Sequence, residues 1–166
     1  MKNIILCGFM GCGKSTIGKA ISKKIKYEFI DSDEFIEKHE KMTIPEIFEK
    51  FGEDYFRNKE TDSISKISKL DHCVVSLGGG AVLNKENAKV LKTSGKLFFL
   101  NISAQEVYNR LKNDTSRPLL QTDDKLTAIS SLLSKRLPIY NEVADVIIDV
   151  DGKTVDEISE EILKFL

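Results

Sequence analysis

Along this chain, short unbroken apolar runs alternate with longer stretches in which apolar residues recur every third or fourth position. The unbroken runs are Lys2 to Cys7, Tyr27 to Asp31, His72 to Leu77, Lys96 to Asn101 and Asp145 to Val150. Each has the length of a strand. Their lack of apolar–polar alternation predicts strands covered on both faces, hence a parallel sheet. Between them the spacing widens, as in "KSTIGKAISKKI", and predicts helices. Strands and helices in regular alternation make a three-layer α/β/α fold.

Several helix starts are marked. Thr43-Ile-Pro-Glu46, Ser103-Ala-Gln-Glu106 and Thr154-Val-Asp-Glu157 each fit the capping box, in which a hydroxyl and a carboxylate satisfy orphan backbone N–H groups. Pro45 suits a first helical turn, where its missing N–H costs little. Gly52 is expected to end that short helix before "EDYFRNKETDSISKIS" begins another.

Two stretches break the rhythm. About 40 residues separate Asp31 from His72, where a crossover needs about a dozen. This helical insert begins at the carboxyl edge of the sheet, where open parallel sheets collect ligands, and is placed to hold a second substrate. The polar segment "KNDTSRPLLQTDDK", Lys112 to Lys125, interrupts an otherwise helical region. It is either an ordinary surface loop or a lid that closes over bound nucleotide.

At 166 residues the chain is expected to form one domain. Its 25 basic and 26 acidic residues leave a net charge of -1, which offers no bulk attraction to nucleic acid or to an anionic membrane. Neither partner is expected, and an anionic ligand must be held by a few placed cations. The opening "MKNIILCGF" is too short for a signal peptide, and no apolar stretch approaches a membrane span, so a cytoplasmic protein is expected. Cys7, Cys12 and Cys73 lack metal-site or disulfide spacing and fit reduced thiols. Cys7 and Cys73 read as strand core; Cys12 reads as filler or as an oxidation-sensitive thiol in the loop described next.

The stretch "GFMGCGKST" has the pattern Gly8-x-x-x-x-Gly13-Lys14-Ser15, between a predicted strand and a predicted helix, as a P-loop requires. Its glycines allow close approach, and the N–H groups around Gly11, Cys12 and Gly13, with the helix start, point at phosphate oxygens. Lys14 would reach the β- and γ-phosphates, the Ser15 hydroxyl would ligate Mg²⁺, and Thr16 would meet a phosphate nearer the nucleoside.

Three further stretches bear on the acceptor. In "FIDSDEFIE", Asp31 and Asp33 follow the second strand and can divide labour between Mg²⁺ and a hydroxyl; alternatively Asp33 only caps the next helix. In "DYFRNKE", Arg57 can fork onto a carboxylate while Glu60 orients it or takes a hydroxyl; alternatively the two form a solvated ion pair. In "SLGGGAV", Gly78, Gly79 and Gly80 let main chain approach a ligand closely. A GTPase fits poorly, since no N-K-x-D-like motif is present. Ser76 and glycines occupy the place of the usual strand-end acid, which leaves the metal to Ser15 and, through water, Asp31.

In this order, "GFMGCGKSTIGKAI", "FIDSDEFIE", "IPEIFEKFGEDYFRNKE", "VVSLGGGAV", "SRPLL" and "KRLPIYNEVADVIID" resemble the shikimate kinase family over nearly the whole chain. The resemblance implies ATP-dependent phosphorylation of the 3-hydroxyl of shikimate, on the chorismate route to aromatic amino acids, with one Mg²⁺. It implies a monomer with a nucleotide-monophosphate-kinase-like fold, strand order 2-3-1-4-5, a shikimate-binding insert at 32–61 and a lid at 112–125. Asp33 resembles the family's hydroxyl-binding aspartate and candidate base. Arg57 and Arg136 resemble the pair that grips the carboxylate, and Gly79 a main-chain contact to the same substrate. Arg117 resembles the lid arginine that meets ATP phosphates, and Arg110 sits where a nucleotide-stacking arginine is expected. Lys153, in "DGKT", falls in the adenine-loop region but departs from the family's frequent residue there. The rival readings are a gluconate or nucleotide monophosphate kinase of the same shape, and a non-catalytic nucleotide-binding regulator.

Overall fold

Strand β1 (Asn3–Gly8) is buried along its whole length and lies at the centre of a five-stranded sheet. In the computed structural model, which describes residues 2–116 and 120–166, β1 is flanked by β3 (Cys73–Ser76) and β4 (Gly95–Asn101). The edges are β2 (Glu28–Asp31) and β5 (Val146–Asp149). Every pairing is parallel, in the order β2-β3-β1-β4-β5. The expected order is therefore the observed one.

Strand ends shift by about one residue from those expected, for local reasons. His72 has φ +59, a left-handed turn that a strand cannot include, so β3 starts at Cys73. Gly8 pairs with Leu100, which extends β1 into the glycine loop. The two edge strands keep an exposed face, with Ile147 49% exposed, because no neighbour covers them. The central strands carry the core, in which Cys7 and Cys73 are buried as expected.

Helix α1 (Lys14–Ile25) leaves the glycine loop, and α2 (Ser32–Glu40) follows β2 without a break. The following helix, α3 (Ile44–Ile67), opens with a complete capping box between Thr43 and Glu46. At Gly52, φ +81 and ψ 177 break the helical path, so α3 is two helices run end to end, as the glycine predicts. Ile36, Ile47 and Phe56 form a small separate core shared by α2 and both parts of α3. The 3₁₀ turn Ala81–Leu83 and α4 (Lys85–Ser94) connect β3 to β4.

Helices α5 (Ala104–Leu111), α6 (Lys125–Val143) and α7 (Val155–Leu163) complete the layers. The Thr154–Glu157 box is complete, but that at Ser103 is only half made. The Glu106 carboxylate accepts from Arg110 Nε at 2.8 Å instead, since a charged donor one turn away outcompetes a backbone N–H. Between α5 and α6, Lys125 Nζ donates to the carbonyls of Asp114 (2.7 Å) and Lys112 (3.2 Å), and Leu120 is buried. Arg117 lies outside the described residues.

Candidate active site

The carboxyl ends of β1, β2 and β3 meet the first residues of α1 and α2, and most of the predicted site residues converge there. At the end of β1 the chain turns through Gly11 and Gly13, with φ of +78 and +93, values that disfavour side chains. No side chain caps α1 at Gly13, which leaves its first N–H groups for an anion. Lys14 Nζ bends back over the loop and donates to the Gly8 and Phe9 carbonyls at 2.9 and 3.0 Å. Its ammonium is thus held on the loop that would receive phosphate.

Cys12 is 1% exposed, so its thiol packs in the core, and its N–H donates to the Phe9 carbonyl at 3.3 Å. A ligand would meet Cys12 through main chain only. Thr16 stays exposed in the first turn of α1. Arg110 reaches the loop from α5, its Nη1 donating to the Gly11 carbonyl at 3.0 Å. Lys153 pairs instead with Glu161 at 2.6 Å in the β5–α7 connection, and no contact among the described residues joins it to the loop.

Below the loop three oxygens gather. Ser15 Oγ donates to Asp31 Oδ2 at 2.7 Å and lies 3.2 Å from Ser76 Oγ. Asp31 and Ser76 are register partners at the ends of β2 and β3. A hard cation that keeps most of its water and takes one carboxylate fits this set, so Mg²⁺ matches the residues present. The other Asp31 oxygen accepts from the N–H groups of Asp33 and Glu34, so Asp31, not Asp33, caps α2. That frees the Asp33 carboxylate for other work.

Asp33 faces the glycine segment: a Cβ on Gly78 would lie 2.6 Å from its Oδ1. Burial pushes the Asp33 carboxyl up to about 6, with the neighbouring charges of Asp31 and Glu60 adding and Lys14 opposing. A carboxylate tuned towards neutrality suits a proton acceptor. The segment is pinned beside it, since the Gly78 N–H donates to the buried Ser32 hydroxyl at 2.9 Å.

Two residues further, a Cβ on Gly80 would come within 2.6 Å of Arg57 Nη1. Arg57 is held by Glu60 at 2.9 Å and Glu53 at 3.4 Å. Glu60 is only 2% exposed; burial raises its pKa, while the cations of Arg57 and Arg136 act against the rise. It is therefore an orienting group for Arg57 rather than a solvated partner. From α6, Arg136 is buried with its guanidinium 5.8 Å over the Phe9 ring, and a Cβ on Gly79 would sit 3.5 Å from its Nη1. Asp33, Arg136 and Arg57 thus each face one glycine of a three-glycine edge; a side chain at Gly78 or Gly80 would displace Asp33 or Arg57, while a Cβ at Gly79 would make only ordinary contact with Arg136.

Sequence reasoning assigned no role to Ser32 or Tyr140, and saw Ser76 only as a missing acid. The signal for Ser76 was its place opposite Asp31 at the strand ends. Tyr140 stands one helical turn beyond Arg136, and its hydroxyl donates to the Gly79 carbonyl at 2.7 Å.

The parallel sheet in the order β2-β3-β1-β4-β5 and the glycine loop that opens onto α1 are those of a P-loop kinase. The chain belongs to the shikimate kinase family, whose model matches residues 10–166. It is 48% identical over 164 residues to a shikimate kinase of Thermodesulfovibrio yellowstonii, across 99% of this chain and 94% of that protein. It is 47% identical over 163 residues to one of Caldicellulosiruptor bescii, across 98% and 94%. The solved shikimate kinase of Acinetobacter baumannii, in complex with shikimate, matches with a TM-score of 0.94 at 35% identity, across 99% of this chain and 92% of that one.

Proposed function

We propose that the protein transfers the γ-phosphoryl group of ATP to the 3-hydroxyl of shikimate, giving shikimate 3-phosphate and ADP. The observation that carries this reading is the meeting of Asp33, Arg57 and Arg136 along Gly78–Gly80, beside the loop that holds Lys14. Two guanidinium groups suit a carboxylate that lysine would not grip bidentately. Arg57 and Arg136 bind the acid end of the acceptor, Glu60 keeps Arg57 in place, and the glycine main chain lets the sugar-like ring approach. Asp33 then accepts the proton of the attacking hydroxyl as its oxygen bonds to the γ-phosphorus. The bond from that phosphorus to the bridging oxygen breaks, and ADP departs with the electron pair.

Protein groups contribute mainly position and charge to such a transfer. Gly11 to Thr16 and Arg110 bind the nucleotide, and Lys14 and Arg136 neutralise charge at the transferred group. Mg²⁺, when bound, would be held by Ser15 and, through water, by Asp31, and would supply further neutralisation. Residues 32–61 serve as the acceptor-binding insert and 112–125 as the lid, with Arg117 assigned to the ATP phosphates by resemblance. No helix among the described residues is long and apolar enough to cross a membrane. By resemblance the protein is a cytoplasmic monomer, and its net charge of -1 offers no bulk attraction to nucleic acid or to an anionic membrane. Phosphorus NMR of the product tests it: coupling of one new phosphate to the C3 proton is expected, and phosphate on another hydroxyl would refute the proposed orientation.

A further inference from the structure

Three consecutive glycines are a poor platform by themselves. Glycine has the most backbone freedom to lose on folding and no side chain to anchor it, so a precise glycine edge must be held from outside. Ser32 holds the Gly78 N–H from the β2 side. On the other side stands Tyr140, fully buried, with its ring stacked on Phe99 at 5.0 Å and its hydroxyl 2.7 Å from the Gly79 carbonyl. A tyrosine that only filled this space would need no hydroxyl, since a phenylalanine would make the same ring contacts.

We infer that Tyr140 is a positioning residue for the acceptor: its hydroxyl fixes the Gly79–Gly80 peptide and locks the glycine edge to the helix that carries Arg136. The inference rests on the reading of Gly78–Gly80, Arg57 and Arg136 as the acceptor site. The geometry supports it in two ways. A trans peptide is planar with its C=O and N–H antiparallel, so drawing the Gly79 carbonyl to the buried hydroxyl turns the Gly80 N–H the opposite way. Arg136 and Tyr140 are four residues apart in α6 and so share one helix face, which makes the glycine edge and the Arg136 guanidinium a single unit. Burial raises the phenol's pKa far above its ordinary value, with the neighbouring Arg136 cation acting against the rise, so the hydroxyl stays a neutral donor throughout the working pH range. The bond joins residues 61 positions apart, and nothing else described ties α6 to Gly79 by a hydrogen bond.

The test is Tyr140→Phe, which removes one oxygen and keeps the ring. The KM for shikimate is expected to rise about tenfold, equivalent to about 1.4 kcal/mol, with the KM for ATP within about twofold and kcat within about threefold. An unchanged shikimate KM would overturn the inference, whatever the melting temperature does. So would an equal rise in the ATP KM, which marks general loosening. Phe99→Leu serves as the control: it loosens the ring packing and is expected to lower the melting temperature without this selective change in KM. Should the Tyr140 variant not fold, amide exchange in the wild-type protein decides. Shikimate is expected to slow exchange at Gly80, and no slowing there would overturn the inference. A wild-type protein that phosphorylates another acid of a carboxylate panel refutes the shikimate reading alone, and the same constants for that acid then judge Tyr140. Turnover of no carboxylic acid at all overturns both.

Discussion

Replacing Asp33 by asparagine separates the cost of the tuned carboxylate from its use. The Asp33 carboxyl sits near 6 in the fold against an ordinary 3.8. That difference of about two units corresponds to about 3 kcal/mol of unfavourable ionisation at about 1.4 kcal/mol per unit. Asp33 is partly open to solvent, so screening halves this to about 1.5 kcal/mol. The sign follows from the raised value. Protonated Asp33 is the form the fold prefers, so its favourable contribution is complete below about 3.8 and is lost as pH rises through about 6. Asparagine carries no such penalty. In ligand-free protein, Asp33→Asn is therefore expected to gain about 3–6 °C in melting temperature over wild type at pH 8, and about 0–1 °C near pH 3.5. The same variant is expected to lose at least about a hundredfold in turnover, because the attacking hydroxyl has no proton acceptor. In the wild type, kcat/KM is expected to fall about tenfold per pH unit below about 6. Thermal melts followed by circular dichroism at the two pH values, with a coupled ADP assay, measure both. A variant with the same melting difference at both pH values, or with near-normal turnover, would refute the assignment of Asp33.

Arg57→Lys removes the guanidinium fork and its contact with Glu60. Steady-state kinetics are expected to show a shikimate KM about 10–100-fold higher with the ATP KM unchanged; an unaltered shikimate KM would exclude the carboxylate role. Gly80→Ala tests the glycine edge. Gly80 has φ -95, which alanine accepts, but the new Cβ meets the far end of Arg57 at 2.6 Å. The melting temperature is expected to stay within about 2 °C while the shikimate KM rises about tenfold or more, and the reverse pattern would show that the edge is structural.

The sequence showed the site where chemistry and local spacing coincide, and missed it where distant segments meet. The P-loop, the Thr43 and Thr154 capping boxes and the break at Gly52 are short-range patterns, and all formed as their spacing dictates. Asp31 and Asp33 were legible as a pair, but which one capped α2 depended on the turn at the end of β2. Ser32 and Tyr140 act through partners 46 and 61 positions away, and only the strand order brings those partners to them. The half-made box at Ser103 shows the opposite limit, for there a competing charge on the same helix overrode a motif that the sequence displays in full.

The central claim is that the arginine-lined glycine edge selects shikimate as the acceptor. ADP release measured with ATP and Mg²⁺ against shikimate, gluconate and AMP tests it most directly. The account predicts that shikimate alone stimulates ADP formation well above background, and stimulation by gluconate or AMP equal to that by shikimate would contradict it.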